Sequence, residues 1–273
     1  MKEVILNNGT KIPSIGVGVF WVEDANIAYE TVKTALSVGY RHVDTAMIYG
    51  NEEAVGKAIR DSGIPREEIF LTTKLWNDDQ RSGKVEEAIE ASLKRLGMDY
   101  VNLYLVHWPV KETYVSVWKK MEAVYKSGKA KAIGVSNYQT HHLADLLEEA
   151  EIIPAVNQIE CYPYLSQAAT IQYCLERNIR PEAWGPLGAG KSDILTNPVI
   201  TEIAKKRGLT PAQVVLGWNL ERGVIVIPKS IHKERLTENL KCTDFELTDE
   251  DMTRISALNK NLRLGADPDH FNF

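Results

Sequence analysis

FLTTKLWNDDQRSGKVEEAIEASLKRLGMDYVNLYLVH, residues Phe70 to His107, carries two periodicities in one stretch. Its ends, Phe70 to Lys74 and Val101 to His107, are short, largely apolar runs bounded by turn residues, as expected of strands buried on both faces. Between them Val85, Ala88, Ile89, Leu93 and Leu96 recur at spacings of three and four, which is one face of a helix. Strand, helix, strand is the parallel crossover unit, and the same reading extends in both directions. Toward the amino terminus lie strands at Ile15 to Val17 and His42 to Asp44, separated by a helix whose buried face is Ala28, Val32, Ala35 and Leu36. Toward the carboxyl terminus lie Ala132 to Ser136, Ala155 to Ile159, Glu182 to Trp184 and Val224 to Ile227.

Eight such strands alternating with helices predict an α/β chain closed as a (β/α)8 barrel. Ahead of the first unit, Val4 to Leu6 and Thr10 to Ile12 flank Asn7-Asn8-Gly9, a hairpin signal. The sequon Asn8-Gly9-Thr10 reads as that turn and not as a glycosylation site. Two helices, Asn197 to Arg207 and Pro211 to Arg222, separate the last two strands, and Thr248 to Leu258 adds another outside the repeat. No linker or low-complexity segment interrupts the series, so residues 1–273 are expected to form a single domain.

The composition is that of an ordinary globular chain, with 44% hydrophobic and 25% charged residues, which excludes disorder, collagen and coiled coil. A net charge of -5 supplies no general basic field, so neither nucleic acid nor an anionic membrane is an expected partner. MKEVILNNGTKIP lacks the apolar core of a signal peptide, and no stretch reaches the length of a membrane span; a cytoplasmic protein is expected. Cys161, Cys174 and Cys242 are odd in number and far apart, and are expected to be reduced structural thiols. Nothing in the sequence demands an apolar interface, so a monomer is expected.

In a barrel of this kind the chemistry sits where strands end. Here the second strand ends in Asp44 with Tyr49 just beyond, the third in Lys74 and the fourth in His107. Each alone is the material of a structural ion pair or a buried histidine. Converging on one mouth, the four suggest acid–base work on a carbonyl or alcohol. The ammonium of Lys74 would bring the Tyr49 phenol down toward a usable range, Asp44 would keep Lys74 charged, and His107 would orient a substrate oxygen.

GYRHVDTAMIYGNEEAVG (Gly39 to Gly56), TTKLW (Thr72 to Trp76), DYVNLYLVHWP (Asp99 to Pro109), IGVSNY (Ile133 to Tyr138), PAVNQIE (Pro154 to Glu160), WGPLG (Trp184 to Gly188) and IPKS followed by ERLTEN together resemble the aldo-keto reductase superfamily. The likeness runs from the hairpin to about Leu258 and is greatest to the prokaryotic branch that includes the 2,5-diketo-D-gluconate reductases. It implies a TIM barrel that uses NADPH to reduce small aldehydes and ketones of broad range, such as methylglyoxal, aromatic aldehydes and diketo sugar acids. Carried over residue by residue, Tyr49 is the general acid, tuned by Lys74 and Asp44, with His107 orienting the carbonyl. Ser136, Asn137 and Gln158 hold the nicotinamide carboxamide, Trp184 stacks on its ring, and Gly185 and Leu187 belong to the pyrophosphate loop. Lys229, Ser230 and Arg235 meet the 2′-phosphate, with Glu238 and Asn239 at the adenine. Phe20, Trp76 and Trp108 line the mouth. His232 stands where relatives carry Arg or Thr, which leaves room for weaker use of NADH; Arg180-Pro181 departs from a β-branched strand entry, with at most a local effect expected from the proline. The short tail after Leu258 implies an open, permissive site.

Two other readings come from the residues. GPLGAGKS, Gly185 to Ser192, satisfies the phosphate-loop pattern of a nucleotide phosphohydrolase or kinase, but Asn197-Pro198 arrives before a long helix can form and Pro186 sits in the cradle. A barrel of this family that has lost catalysis and serves in regulation is the other alternative. Gly16-Val17-Gly18 has Trp21 in place of a third glycine, so no Rossmann domain is expected. His141 and His142 are helix neighbours expected to diverge by about 100°, so no metal site is expected.

Overall fold

The computed structural model describes residues 2–273. Among the described residues ten strands are formed: β1 (Glu3–Ile5), β2 (Lys11–Pro13), β3 (Val17–Gly18), β4 (His42–Asp44), β5 (Phe70–Leu75), β6 (Val101–Val106), β7 (Ala130–Ser136), β8 (Val156–Glu160), β9 (Arg180–Trp184) and β10 (Ile225–Val226). The helices are α1 (Ala25–Val38), α2 (Glu52–Arg60), α3 (Asn77–Ser82), α4 (Val85–Leu96), α5 (Ser116–Lys126), α6 (Thr140–Glu149), α7 (Ala168–Glu176), α8 (Pro198–Arg207), α9 (Pro211–Glu221), α10 (Lys233–Leu240) and α11 (Asp249–Ser256).

Local chemistry sets the helix ends. The Asp24 carboxylate accepts from the backbone N–H of Asn26 and Ile27, both at 2.9 Å, and so starts α1; Gly39 at φ 117° ends it. Thr210 and Gln213 form a capping box around Pro211 at the start of α9, and Thr248 and Asp251 do the same for α11.

β3 to β10 pair in chain order, every neighbour parallel. The ends meet through a parallel bridge between Ile15 and Val226, with Gly16 N–H donating to Val226 O at 2.8 Å and Val226 N–H to Ser14 O at 3.1 Å. The result is a (β/α)8 barrel. The first barrel strand lies slightly later than the apolar run suggested, because Ile15 serves the closure. β9 starts earlier, at Arg180, so Pro181 lies inside the strand as its second residue. The missing N–H costs little there. Arg180 N–H already serves Ala155 O on the β8 side, and β10 pairs with β9 only from Glu182 onward.

The hairpin β1–β2 closes the amino-terminal end of the barrel. Leu6 and Ile12 pack with Phe70, Leu103, Leu105, Ala132, Ala155, Val156 and Ile225 as a core of their own. Asn8 Nδ2 donates to Lys131 O at 2.9 Å and Gly9 takes φ 85°, so the sequon is the hairpin turn. Inside the wall, a Cβ on Gly134 would lie 2.5 Å from Val156 O, so only glycine lets β7 and β8 approach this closely. With its lower end plugged, the barrel leaves its polar strand ends gathered at the other.

Candidate active site

The end of β4 delivers Asp44, the end of β5 Lys74, and the segment after β6 His107. Tyr49 comes from a single 3-10 turn at Met47–Tyr49, ended by Gly50 at φ 67°. That turn is braced beneath by Asn51, whose amide donates to Val19 O and Val22 O and whose Oδ1 accepts from the Thr45 hydroxyl at 2.7 Å.

Lys74 is wholly buried, and its ammonium donates to Asp44 Oδ1 at 2.6 Å, Thr45 O at 2.9 Å and the Tyr49 hydroxyl at 3.4 Å. Burial works against its charge, but Asp44, Tyr49 and Glu182 outweigh that, and its pKa lies above the ordinary lysine value. Burial raises the Tyr49 phenol; Lys74 pulls it back only in part. The expectation that the ammonium would bring the phenol below its ordinary pKa is therefore corrected: desolvation around the hydroxyl is the larger effect. His107 is pushed well below the ordinary histidine value, first by burial and then by Lys74, so the ring is neutral at pH 7. Its Nδ1 has no hydrogen-bond partner among the described residues, and the ring meets Tyr49 and Trp76 edge-on, with centroids 5.7 and 5.2 Å away.

A second polar set interlocks beside the first at the ends of β7, β8 and β9. Ser136 Oγ and Asn137 N–H both donate to Gln158 O, at 2.9 and 2.8 Å. Asn137 Nδ2 donates to His107 O at 3.0 Å, and Trp184 Nε1 donates to Asn137 Oδ1 at 2.8 Å. Asn137 adopts φ 65°, a left-handed conformation that asparagine tolerates better than most residues. Gln158 Nε2 donates to Asp44 Oδ2 at 2.8 Å, which joins the two sets.

A separate cleft of about 370 Å³ lies at the start of α10, lined by Lys229, Ser230 and Arg235 together with Trp21, Asp24 and His232. No side chain caps the start of α10, so its first-turn N–H groups are available to an anion. Glu238 and Asn239 do not line this cleft. The Glu238 carboxylate accepts from the Thr210 hydroxyl at 2.7 Å, and Asn239 is buried. Leu187 packs partly buried against the core, and Gly185 adopts φ 59°. GPLGAGKS does not lead into a helix: a 3-10 turn at Gly188–Gly190 and another at Ile194–Thr196 precede α8, whose cap is Asn197.

Phe20, Trp76 and Trp108 surround the mouth, with Phe20 4.9 Å from the Tyr49 ring. The open mouth implied by a short tail is not what forms. The residues after α11 cross it: Leu264 and Gly265 N–H donate to the Glu160 carboxylate at 2.7 and 3.0 Å, Phe271 packs on Trp108 at 5.2 Å, and Phe273 stacks on Trp76 at 5.8 Å. Gly265 allows the passage, since a Cβ there would lie 2.5 Å from Trp184 Cη2. Asp269 ties the tail to α6, with Oδ1 2.8 Å from His141 Nε2 and 3.3 Å from His142 Nε2.

The divergence expected of the two histidines does not hold. Their ring centroids are 4.0 Å apart, and with Asp269 they form a cluster of metal-ligating types. Yet His142 Nδ1 accepts the Gln139 N–H at 3.1 Å as part of the helix cap, which places the ring proton on Nε2. Its Nε2 therefore carries the proton and lies 3.3 Å from Asp269 Oδ1, while His141 Nε2 at 2.8 Å makes the hydrogen bond that latches the tail.

The sequence reading passed over Glu182, Glu160 and the tail aromatics. For Glu182 and Glu160 there was a signal, a carboxylate within or at the end of a strand buried on both faces.

The model described as the aldo/keto reductase family matches residues 14–260. The glyoxal reductase of Bacillus subtilis (strain 168) is 51% identical to the chain, covering 100% of it and 99% of the relative. The methylglyoxal reductase DkgA of Salmonella typhimurium is 44% identical, covering 97% and 96%. Among solved structures, MGS-M4, an aldo-keto reductase from a Medee basin deep-sea metagenome library, superposes with a TM-score of 0.96 at 47% identity, with both chains covered in full.

Proposed function

The chain belongs to the aldo/keto reductase family, and from that premise we propose that it reduces small aldehydes and ketones to alcohols, with NADPH as the reductant and Tyr49 as the proton donor. The observation that carries this reading is the chain Asp44–Lys74–Tyr49, with contacts of 2.6 and 3.4 Å, opening beside a neutral His107. When bound, NADPH supplies the hydride. Tyr49 donates the proton to the developing alkoxide, and the ammonium of Lys74 then stabilises the phenolate left behind. Asp44 holds that ammonium in place, and His107 aligns the carbonyl oxygen with the Tyr49 hydroxyl.

The residues fit the cofactor. Two cations, a hydroxyl and an uncapped helix start suit the 2′-phosphate, held by Lys229, Ser230 and Arg235. Ser136, Asn137 and Gln158 would hold the carboxamide, Trp184 would stack on the nicotinamide, and Gly185 and Leu187 would lie along the pyrophosphate. Glu238 and Asn239 serve the adenine side by supporting α10. NADH is the weaker reductant. Phe20, Trp76 and Trp108 enclose the carbonyl substrate, and the roofing by Phe271 and Phe273 favours compact ones such as methylglyoxal.

The protein works as a one-domain monomer whose site needs no second chain. The unpaired, buried Cys161, Cys174 and Cys242 suit a reducing cytoplasm. Among the described residues no helix is long and apolar enough to cross a membrane. Purified protein mixed with NADPH is expected to oxidise it on addition of methylglyoxal or nitrobenzaldehyde. Binding without turnover would instead mark a regulatory barrel, and ATP hydrolysis a phosphate-loop enzyme.

A further inference from the structure

Among the described residues, Glu182 is a carboxylate buried in the barrel wall that the proposed proton transfer does not use. It lies on β9 directly across from Gln158 on β8 and is wholly buried. Gln158 Nε2 stands between two carboxylates, 2.8 Å from Asp44 Oδ2 and 3.0 Å from Glu182 Oε1. A primary amide nitrogen has two hydrogens, and both are taken. The orientation of the amide is thereby set: turning it over would bring its oxygen against the Asp44 carboxylate. What Gln158 has left to offer is its carbonyl oxygen, an acceptor beside Ser136 and Asn137.

We propose that Glu182 is a positioning residue that acts through Gln158, fixing the side-chain amide so that its oxygen, and not its nitrogen, receives the amide group of a nicotinamide carboxamide. This rests on the reading of Gln158 as a cofactor residue. Burial, followed by repulsion from Asp44, pushes Glu182 up to about 8 against the pull of Lys74, so at pH 7 its carbonyl oxygen accepts from Gln158 while Oε2 carries the proton. Oε2 has no partner among the described residues, so the contact to Gln158 is what its head group does.

Calorimetric titration of the full chain with NADPH and, separately, with adenosine 2′,5′-bisphosphate, which has no nicotinamide, tests this. Glu182→Met removes the acceptor and should weaken NADPH binding about tenfold while leaving the bisphosphate unchanged. Glu182→Asp, which retracts the carboxyl by one methylene, should show the same selective loss and carries the test if the methionine variant does not fold. Glu182→Gln, which presents an acceptor of the same length, should restore the affinity. Equal losses for both ligands, or no loss for NADPH, would overturn the proposal. A wild-type chain that binds no NADPH would instead overturn the cofactor reading beneath it.

Discussion

Lys74 and Asp44 are both enclosed at the barrel mouth, with side chains 0% and 3% exposed, so each is tolerable only with the other. Replacing Lys74 by Met strands a buried carboxylate. The expected cost is about 3–5 kcal/mol in a urea denaturation at pH 7, together with loss of turnover, because the Tyr49 phenolate loses its counter-charge. A variant as stable as the parent would contradict the pairing. At this scale the sequence disclosed the residues better than their energetics. Asp44, Tyr49, Lys74 and His107 were legible because each follows or ends a readable strand. That burial raises the Tyr49 pKa more than Lys74 lowers it was not, since the sequence gives no measure of depth. Glu182 stayed hidden for a related reason: its neighbours Asp44 and Gln158 come from β4 and β8, and only closure of the barrel assembles them.

At the scale of elements, strand and helix identities followed from the two periodicities, and boundaries shifted where tertiary contacts intervened, as with Ile15 and Arg180-Pro181. The tail was misread because no periodic pattern marks it. It is held by isolated contacts to distant residues: Leu264 and Gly265 to Glu160, Asp269 to His141 and His142, Phe271 to Trp108 and Phe273 to Trp76. These contacts roof the site with two removable rings. The double substitution Phe271→Ala, Phe273→Ala should raise kcat/KM for bulky aromatic aldehydes severalfold while leaving that for methylglyoxal nearly unchanged. A parallel fall for both substrates would mean that the tail positions the catalytic residues and does not merely limit access.

Across the whole molecule, buried titratable groups set opposite slopes of stability with pH. His42 is wholly buried, and desolvation lowers its pKa to about 3; His142 is lowered to about 4, also first by burial. For both, the unfolded chain takes up the proton first, so stability is lost as pH falls below about 6.5, at up to about 1.4 kcal/mol per unit for His42. Glu182 runs the other way. With its pKa raised to about 8, the folded chain retains a proton that the unfolded chain has released, and stability is lost as pH rises from about 4.5 to 8. Unfolding free energy should therefore peak near pH 6.5, and Glu182→Gln should flatten the alkaline limb and steepen the acid one between about pH 4.5 and 6.5, where Glu182 opposes the histidines; an unchanged alkaline limb would contradict the neutral form of Glu182. The net charge of -5 sets no such local feature, and the cations that suit an anionic cofactor are confined to the cleft at Lys229 and Arg235. The central claim is that this barrel end moves a proton from Tyr49 to a carbonyl oxygen. Parallel assays of the wild type and Tyr49→Phe test it most directly, measuring NADPH affinity and the rate of NADPH oxidation with methylglyoxal. The account predicts unchanged cofactor affinity and a rate lower by about 10²–10⁴-fold in the variant; a variant that retains the wild-type rate would contradict it.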